Sequence, residues 1–143
     1  MSALIRPATS ADAAAVAALA GQLGYPMAHG AARRSLERLA DREHGAVLVS
    51  EEEGRVAGWI EVGILQALAA DHLAVISGLI VDASLRGRGI GSSLLEGAAE
   101  WARCRGCARI RVRSNVLRRH APAFYTSRGY ELVKTQNVFE MTL

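Results

Sequence analysis

Residues 78–102, GLIVDASLRGRGIGSSLLEGAAEWA, contain the pattern that decides the fold. They follow the order of an apolar strand, a loop, a glycine-rich turn and an amphipathic helix. The strand is predicted over Leu73 to Val81, because an unbroken apolar run is typical of a strand buried on both faces. Gly78 inside that run indicates a bulge or a close backbone approach. The helix is predicted from about Gly89 to Arg105, since apolar residues recur there at helical spacing. These residues are Ile90, Leu94, Leu95, Ala98, Ala99 and Ala102.

The turn from Arg86 to Gly91 has the composition of an anion site. Glycines let the backbone approach a ligand without side-chain obstruction. The first amides of the following helix have no intrahelical acceptors and lie at the positive end of the helix dipole. Arg86 and Arg88 add positive charge. The turn therefore predicts a phosphate or pyrophosphate site, with a plain helix start as the alternative.

Two common nucleotide-binding motifs do not fit this turn. A Walker P-loop places Lys and then Ser or Thr after its last glycine, whereas Ser92 and Ser93 follow Gly91 here. A dinucleotide-binding fingerprint has the spacing G-x-G-x-x-G, whereas Gly87, Gly89 and Gly91 are spaced G-x-G-x-G.

The rest of the chain alternates strand and helix patterns, which predicts one α/β domain over residues 1–143. Glu53-Gly54 is typical of a tight hairpin turn, and Thr9 with Asp12 has the spacing of a capping box. The other strands are predicted at Ala3 to Pro7, Ala46 to Ser50, Arg55 to Leu65, Arg109 to Ser114, Tyr130 to Lys134 and Val138 to Leu143. The other helices are predicted from Thr9 to about Leu23, Ala31 to Ala40 and Arg118 to Ser127.

Composition narrows the classes of function. The chain has 143 residues, half of them hydrophobic, and a formal net charge of +3, almost all from arginine. No apolar run is long enough to cross a membrane, and no secretory signal is evident, so a cytoplasmic location is expected. The charge fits a small polyanionic ligand. Scarce aromatic residues argue against nucleic-acid binding.

Cys104 and Cys107 form a C-x-x-C pair. A zinc site needs about four ligands, and neither a second pair nor a nearby His pair is present. A thioredoxin-like motif would begin a helix, whereas this pair ends one. We interpret both as small, partly buried residues and predict no metal site.

Arg86-Gly87-Arg88-Gly89-Ile90-Gly91 matches the R/Q-x-x-G-x-G/A signature of the GCN5-related N-acetyltransferases (GNAT superfamily). The chain also resembles this family in three further blocks, which are Ile5 to Ala8, Arg55 to Ile60, and a C-terminal block of Ser114-Asn115 with Ala123 to Tyr125 and Gly129 to Glu131. The resemblance implies a mixed, mostly antiparallel central sheet that is splayed at its central strands and flanked by helices. It also implies a single N-acetyltransferase domain that uses acetyl-CoA.

The resemblance implies a set of cofactor-binding residues. The backbone of Leu79, Ile80 and Val81 would bind the pantetheine arm as an added strand would. The pyrophosphate would lie on the turn formed by Arg86, Gly87, Arg88, Gly89, Ile90, Gly91 and Ser92. Asn115 matches a further cofactor contact, with a turn or cap residue as the alternative.

Tyr125 matches the family's usual general acid, which would protonate the leaving thiolate. The alternative is a core aromatic residue paired with Phe124. No general base is evident: Glu61, His72 and His120 are candidates, and water or an already neutral amine would make a base unnecessary.

The acceptor implied is a primary amine of a small molecule or a protein N-terminus, attacking the thioester directly. The segment Gly24 to Arg34 and the loop after Leu65 would contact it. Two alternatives remain open: a non-catalytic acyl-CoA-binding regulatory module of the same fold, and a basic nucleic-acid-binding domain. Homodimer formation is common in the family and would suit the apolar segment Val138 to Leu143.

Overall fold

The computed structural model describes residues 4–40, 43–69, 72–113 and 120–143. The chain divides into two compact units, residues 1–113 and 114–143, which are described separately. The first unit contains β1 (Leu4–Pro7), α1 (Ala13–Gln22), α2 (His29–Ala40), β2 (Gly45–Glu52), β3 (Arg55–Leu65), β4 (Leu73–Val81), α3 (Ile90–Cys104) and β5 (Arg109–Val112), and the second contains α4 (Ala121–Thr126).

The sheet has five strands in the order β1-β2-β3-β4-β5. The first three neighbouring pairs are antiparallel, and β4 and β5 are parallel. A parallel pair needs a long crossover connection, and α3 supplies it. Among the described residues, pairing of β4 with β5 runs from Leu73↔Arg109 to Ile76↔Val112. The predicted mixed, mostly antiparallel sheet with splayed central strands is therefore confirmed.

The hairpin between β2 and β3 forms where the sequence predicts it. Glu53 and Gly54 have φ values of 51° and 75°. Positive φ at both central residues is the geometry of a type I′ turn, whose twist matches that of paired strands.

Side-chain alternation in the strands gives the sheet two apolar faces. Val49, Trp59 and Ile80 point to one face and form a buried cluster with residues of α1 and α2. On the other face lies α3, whose Leu94 is completely buried and packs against β3 at Gly58. The cores on both faces hold β4 in place.

A buried ion pair fixes the start of the chain. Arg6 donates from Nη1 and Nη2 to the two carboxylate oxygens of Asp12, both at 2.9 Å. The Thr9 backbone N–H donates to Asp12 Oδ2 at 2.8 Å, as the capping-box spacing predicts. These bonds, the Arg6 guanidinium above all, hold the pKa of Asp12 below its usual range.

In residues 120–143, the described part of the C-terminal unit, the helix is α4, with Pro122 in its first turn. The ring of Tyr125 packs edge-on against Phe124 and Tyr130, with centroids 5.2 and 5.8 Å apart. Residues 130–143 have no assigned strand, so the predicted closing pair was wrong. The apolar pattern identified β-forming residues, but a strand also needs a paired neighbour, and this stretch has no glycine turn to form one.

Most other boundaries differ from prediction by one to three residues, because helix and strand ends depend on capping and pairing. Cys104 is the last residue of α3, and both cysteines are free thiols. Within the described ranges, no helix combines the length and apolar character needed to cross a membrane.

Candidate active site

The second half of β4 has one paired edge and, within the described ranges, one edge without a strand partner. On the β3 side, Leu79 pairs with Ile60 and Ile80 with Trp59. On the β5 side, the described residues give no strand partner to β4 after Ile76. The Ile80 side chain is buried in the core, whereas Leu79 and Val81 are half-buried. Ile80 is thus a core side chain, and the binding of a cofactor along this backbone edge stays a prediction.

A bulge interrupts the register of β3 and β4, which remain paired on both sides of it. Glu61 pairs with Gly78 and Val62 with Ile76, which leaves Ser77 as the extra residue on β4. A Cβ atom on Gly78 would lie 2.9 Å from Cζ3 of Trp59. Gly78 is therefore required by the packing of the indole ring as well as by the bulge.

The loop after β4 is held by hydrogen bonds on both sides. Asp82 Oδ1 accepts hydrogen bonds from the N–H and hydroxyl of Ser84 at 2.9 and 2.8 Å. These bonds hold the pKa of Asp82 below its usual range. The Ala83 N–H donates to Gln22 Oε1 at 2.9 Å, which joins the loop to the end of α1. The turn that follows is thus attached at its start to two separate elements.

The glycine turn has an open left-handed backbone. Gly87 and Gly89 both have φ of 80°, and a Cβ atom on either would meet no atom within 4 Å. Gly89 is the N-cap of α3 and offers no side-chain acceptor to the first turn. Gly89 therefore leaves the amides of Ile90 and Gly91, at the start of α3, without a side-chain cap, which suits an anion.

Charge at this turn is positive and uncompensated. Arg86 and Arg88 are exposed, and the described residues give neither of them an ion pair. A phosphate placed at the first turn of α3 would gain from these arginines and from the helix dipole together.

The structure brings most of the predicted cofactor-binding residues together. The backbone edge at Leu79, Ile80 and Val81 leads through one short loop to the turn over residues 86–92, all within the first unit. Asn115 lies outside the described residues. Tyr125 lies in the C-terminal unit, and its role as the acid stays a prediction.

The three candidate bases have different positions. Glu61 lies on β3 opposite Gly78, at the bulge. His72 precedes β4, at the end of the sheet remote from the glycine turn, and His120 precedes α4 in the second unit. Within the first unit, Glu61 neighbours the second half of β4 and His72 does not.

Two cavities of the first unit bear on these assignments. An open concavity of about 700 Å³ lies where β4 begins and is lined by His44, His72 and Cys104, among others. This concavity lies at the opposite end of β4 from the glycine turn. A smaller cavity of about 160 Å³ lies between α2 and the sheet, beside Trp59 and Glu61.

Sequence reasoning missed the two contacts that organise this region. The hydrogen bond from Ala83 to Gln22 joins residues 61 positions apart, and no local pattern indicates it. The contact of Trp59 with Gly78 joins the neighbouring strands β3 and β4. In the sequence, only the isolated glycine in an apolar strand indicated it. In the described parts of the chain, no group of three His, Cys, Asp or Glu side chains could hold a metal ion.

Comparisons of the sequence with a family model and with curated proteins point to the same family. The model described as "Acetyltransferase (GNAT) family" matches residues 18–130. An uncharacterized N-acetyltransferase of Methanocaldococcus jannaschii is 29% identical over 102 residues, which cover 70% of this chain but only 45% of that relative. The uncharacterized N-acetyltransferase YhfO of Bacillus subtilis is 26% identical over 132 residues, 89% of each chain.

The fold recurs in a solved structure. AAC(6')-Iy, determined in complex with the bisubstrate analogue CoA-S-monomethyl-acetylneamine, superposes with a TM-score of 0.87 over 100% of both chains, at 17% identity. At this identity the likeness concerns the fold.

Proposed function

From this chain's membership of the GNAT acetyltransferase family, we propose that it transfers an acetyl group from acetyl-CoA to a primary amine of a small molecule or a protein N-terminus. The single observation that carries the proposal is the open edge of β4, which leads directly to the glycine turn at the start of α3. A pantetheine arm needs an extended backbone partner, and a pyrophosphate needs converging N–H groups.

Each part of the donor would bind a separate part of this region. The pantetheine amides would pair with the backbone of Leu79, Ile80 and Val81. The pyrophosphate would lie on the amides from Gly87 to Ser92, with Arg86 and Arg88 neutralising its charge. Asn115 is retained as a further cofactor contact from the resemblance.

The reaction is a direct displacement. The amine nitrogen attacks the thioester carbon, backbone N–H groups of β4 stabilise the developing oxyanion, and the carbon–sulfur bond breaks. The thiolate takes a proton from the Tyr125 hydroxyl. The nitrogen loses its proton to Glu61, directly or through water, because Glu61 is the candidate base beside the open half of β4.

The open half of β4 offers Ser77 and Gly78 where a carboxylate base would be expected. This observation favours a second candidate function, a non-catalytic acyl-CoA-binding module. Thiol release from acetyl-CoA with a broad panel of amines distinguishes the two. We expect tight acetyl-CoA binding by calorimetry together with amine-dependent thiol release; binding without release would favour the module, and no binding would reject both.

Tyr125→Phe tests the assignment of the acid. We expect kcat to fall about a hundredfold, since positioned acid–base groups contribute about that factor or more. The Kd for acetyl-CoA should stay unchanged, because the substitution leaves the donor's binding groups intact. Tyr130→Phe is the matched control, since its ring packs against Tyr125. Full turnover in Tyr125→Phe would remove the assignment.

A further inference from the structure

The cavity of about 160 Å³ between α2 and the sheet has an unusual lining. Its walls are largely apolar and include Val16, Leu36, Leu39 and Val47. Glu61 is the only carboxylate among the lining residues. An apolar cavity with one acidic side chain is suited to a ligand that carries one positive charge on an apolar body.

Glu61 has no partner in the described part of the chain. It is half-buried, and no hydrogen bond or ion pair joins it to a described residue. The one cation in the cavity wall, Arg38, is exposed and donates to Ser35 Oγ at 3.2 Å. Partly burying a carboxylate without compensation is unfavourable, and a cationic ligand would supply the missing partner.

Trp59 supplies a second, independent indication. Its side chain lines the same cavity and is 7% exposed, and its Nε1 is buried without a hydrogen-bond partner in the described residues. Its six-membered ring leans over Gly78, the residue that pairs with Glu61. A carboxylate beside an indole ring is a favourable environment for an ammonium group.

The cavity also lies next to the proposed reaction centre. Val47, Glu61 and Gly78 form one cross-strand row. Gly78 follows Ser77, the first residue of β4 beyond its pairing with β5. Since neighbouring strands are about 4.8 Å apart, a nitrogen held at Glu61 is about one strand from the backbone edge proposed for the thioester, with the Trp59 ring lying over Gly78 on this face.

We propose that this cavity recognises the acceptor, and that the acceptor class is a compact primary amine with an apolar body, such as a branched alkylamine or cycloalkylmethylamine. The role of the bound amine as acetyl acceptor rests on the proposed function. A cavity near 150 Å³ accommodates a molecule the size of benzene. A polyhydroxylated amine would bury hydroxyl groups against apolar walls without hydrogen-bond partners.

Direct binding tests the cavity without any turnover. The chain has two tryptophans, and Trp101 lies on α3 beside Arg105, away from this cavity. In a Trp101→Phe background, Trp59 fluorescence should change saturably with cyclohexylmethylamine. The neutral analogue cyclohexylmethanol and the hydroxylated amine glucosamine should bind at least about tenfold more weakly, because each loses a full ionic or apolar contribution.

Glu61→Gln keeps the side-chain shape and removes the charge. We expect it to weaken cyclohexylmethylamine binding about tenfold, equivalent to one lost charge-assisted contact. Glu37→Gln, on the exposed side of α2, should leave binding unchanged. The absence of a saturable signal, or equal binding by Glu61→Gln, would overturn the inference.

Steady-state kinetics separates this inference from the proposed function. Glu61→Gln should raise the KM of cyclohexylmethylamine and, because Glu61 is also the proposed base, lower kcat, while the calorimetric Kd for acetyl-CoA stays constant. Faster turnover of glucosamine than of cyclohexylmethylamine would reject the acceptor class and leave the acetyltransferase proposal intact. A failure to bind acetyl-CoA would reject the acetyltransferase proposal, and the fluorescence titration would still decide whether the cavity takes the amine.

Discussion

Gly89 is the residue on which the donor site depends most directly. Its φ of 80° and the open space beside it place backbone where an anion would lie. In Gly89→Glu, a carboxylate would occupy this space and repel the pyrophosphate. We expect acetyl-CoA affinity to fall by about a hundredfold or more, equivalent to roughly 3 kcal/mol, measured by calorimetry.

Any side chain at this φ strains the backbone, whether or not it affects the donor. The control variant must therefore carry the same strain. Gly106→Glu meets this requirement, because Gly106 has φ of 79°, open space around it and a position at the other end of α3. Both variants should lose about 1 kcal/mol or more of folding stability. Only Gly89→Glu should lose the donor; an equal loss in both would show that strain is responsible.

Asp12 makes a different kind of contribution, to stability and its pH dependence. Its carboxylate is buried and accepts two hydrogen bonds from Arg6. We expect Asp12→Asn to lower the free energy of unfolding at pH 7 by about 2 kcal/mol, because Arg6 loses its two short charge-assisted bonds and keeps the longer contact with Glu51, at 3.4 Å. Chemical denaturation measures the difference.

The folded-state pKa of Asp12 is depressed, so this stabilisation is fully present above the unfolded-state pKa of about 4 and is lost as pH falls below it. The gap between wild type and Asp12→Asn should therefore narrow below pH 4. Glu37→Gln, which breaks an exposed pair with Arg33, should change stability by less than about 0.5 kcal/mol. A gap that persists undiminished in acid would contradict the role of the ion pair.

Single residues differ in how far sequence alone predicts their roles. The spacing of Gly87 and Gly89 ahead of an amphipathic helix predicted an anion-binding turn, because the requirement for positive φ is local. The residues that lie next to Glu61 and Trp59 across the sheet could not be predicted in this way. Their significance depends on which residues lie across the sheet, and a strand pattern records the face of a residue but not its neighbours.

At the scale of elements, α1 is joined to the loop that precedes the glycine turn. Gln22, at the end of α1, accepts a hydrogen bond from the Ala83 N–H. We expect Gln22→Ala to weaken acetyl-CoA binding about fivefold, roughly 1 kcal/mol, because the unanchored loop must be ordered on binding. Gln66→Ala, an exposed glutamine after β3, is the control. Unchanged affinity in Gln22→Ala would show that the turn is ordered without this contact.

The elements themselves were mostly predictable, whereas their pairing was not. The apolar run of β4 and the periodicity of α3 identify both elements, since each pattern is long and unambiguous. The early end of β4–β5 pairing at Ile76 was expected only from the family resemblance. Residues 130–143 show the limit: their β-forming composition predicted strands, but composition does not supply a pairing partner.

At the scale of the whole molecule, we propose that residues 1–143 form a single N-acetyltransferase domain, although two compact units are distinguished. A single domain should unfold in one cooperative transition. Both tryptophans, Trp59 and Trp101, report on residues 1–113. In a Tyr25→Phe variant, the remaining tyrosines, Tyr125 and Tyr130, report on residues 114–143.

Acetyl-CoA makes this test sharper, because the proposed donor site lies on residues 79–92 of the first unit. A ligand at about a hundred times its Kd stabilises the folded state by about 2.7 kcal/mol. If the chain is one cooperative domain, tryptophan fluorescence and the fluorine NMR signals of incorporated fluorotyrosine should shift to the same higher melting temperature. A tyrosine transition that does not respond to acetyl-CoA would show that the C-terminal unit unfolds independently, and Tyr125 would then be a poor choice for a rigidly positioned acid.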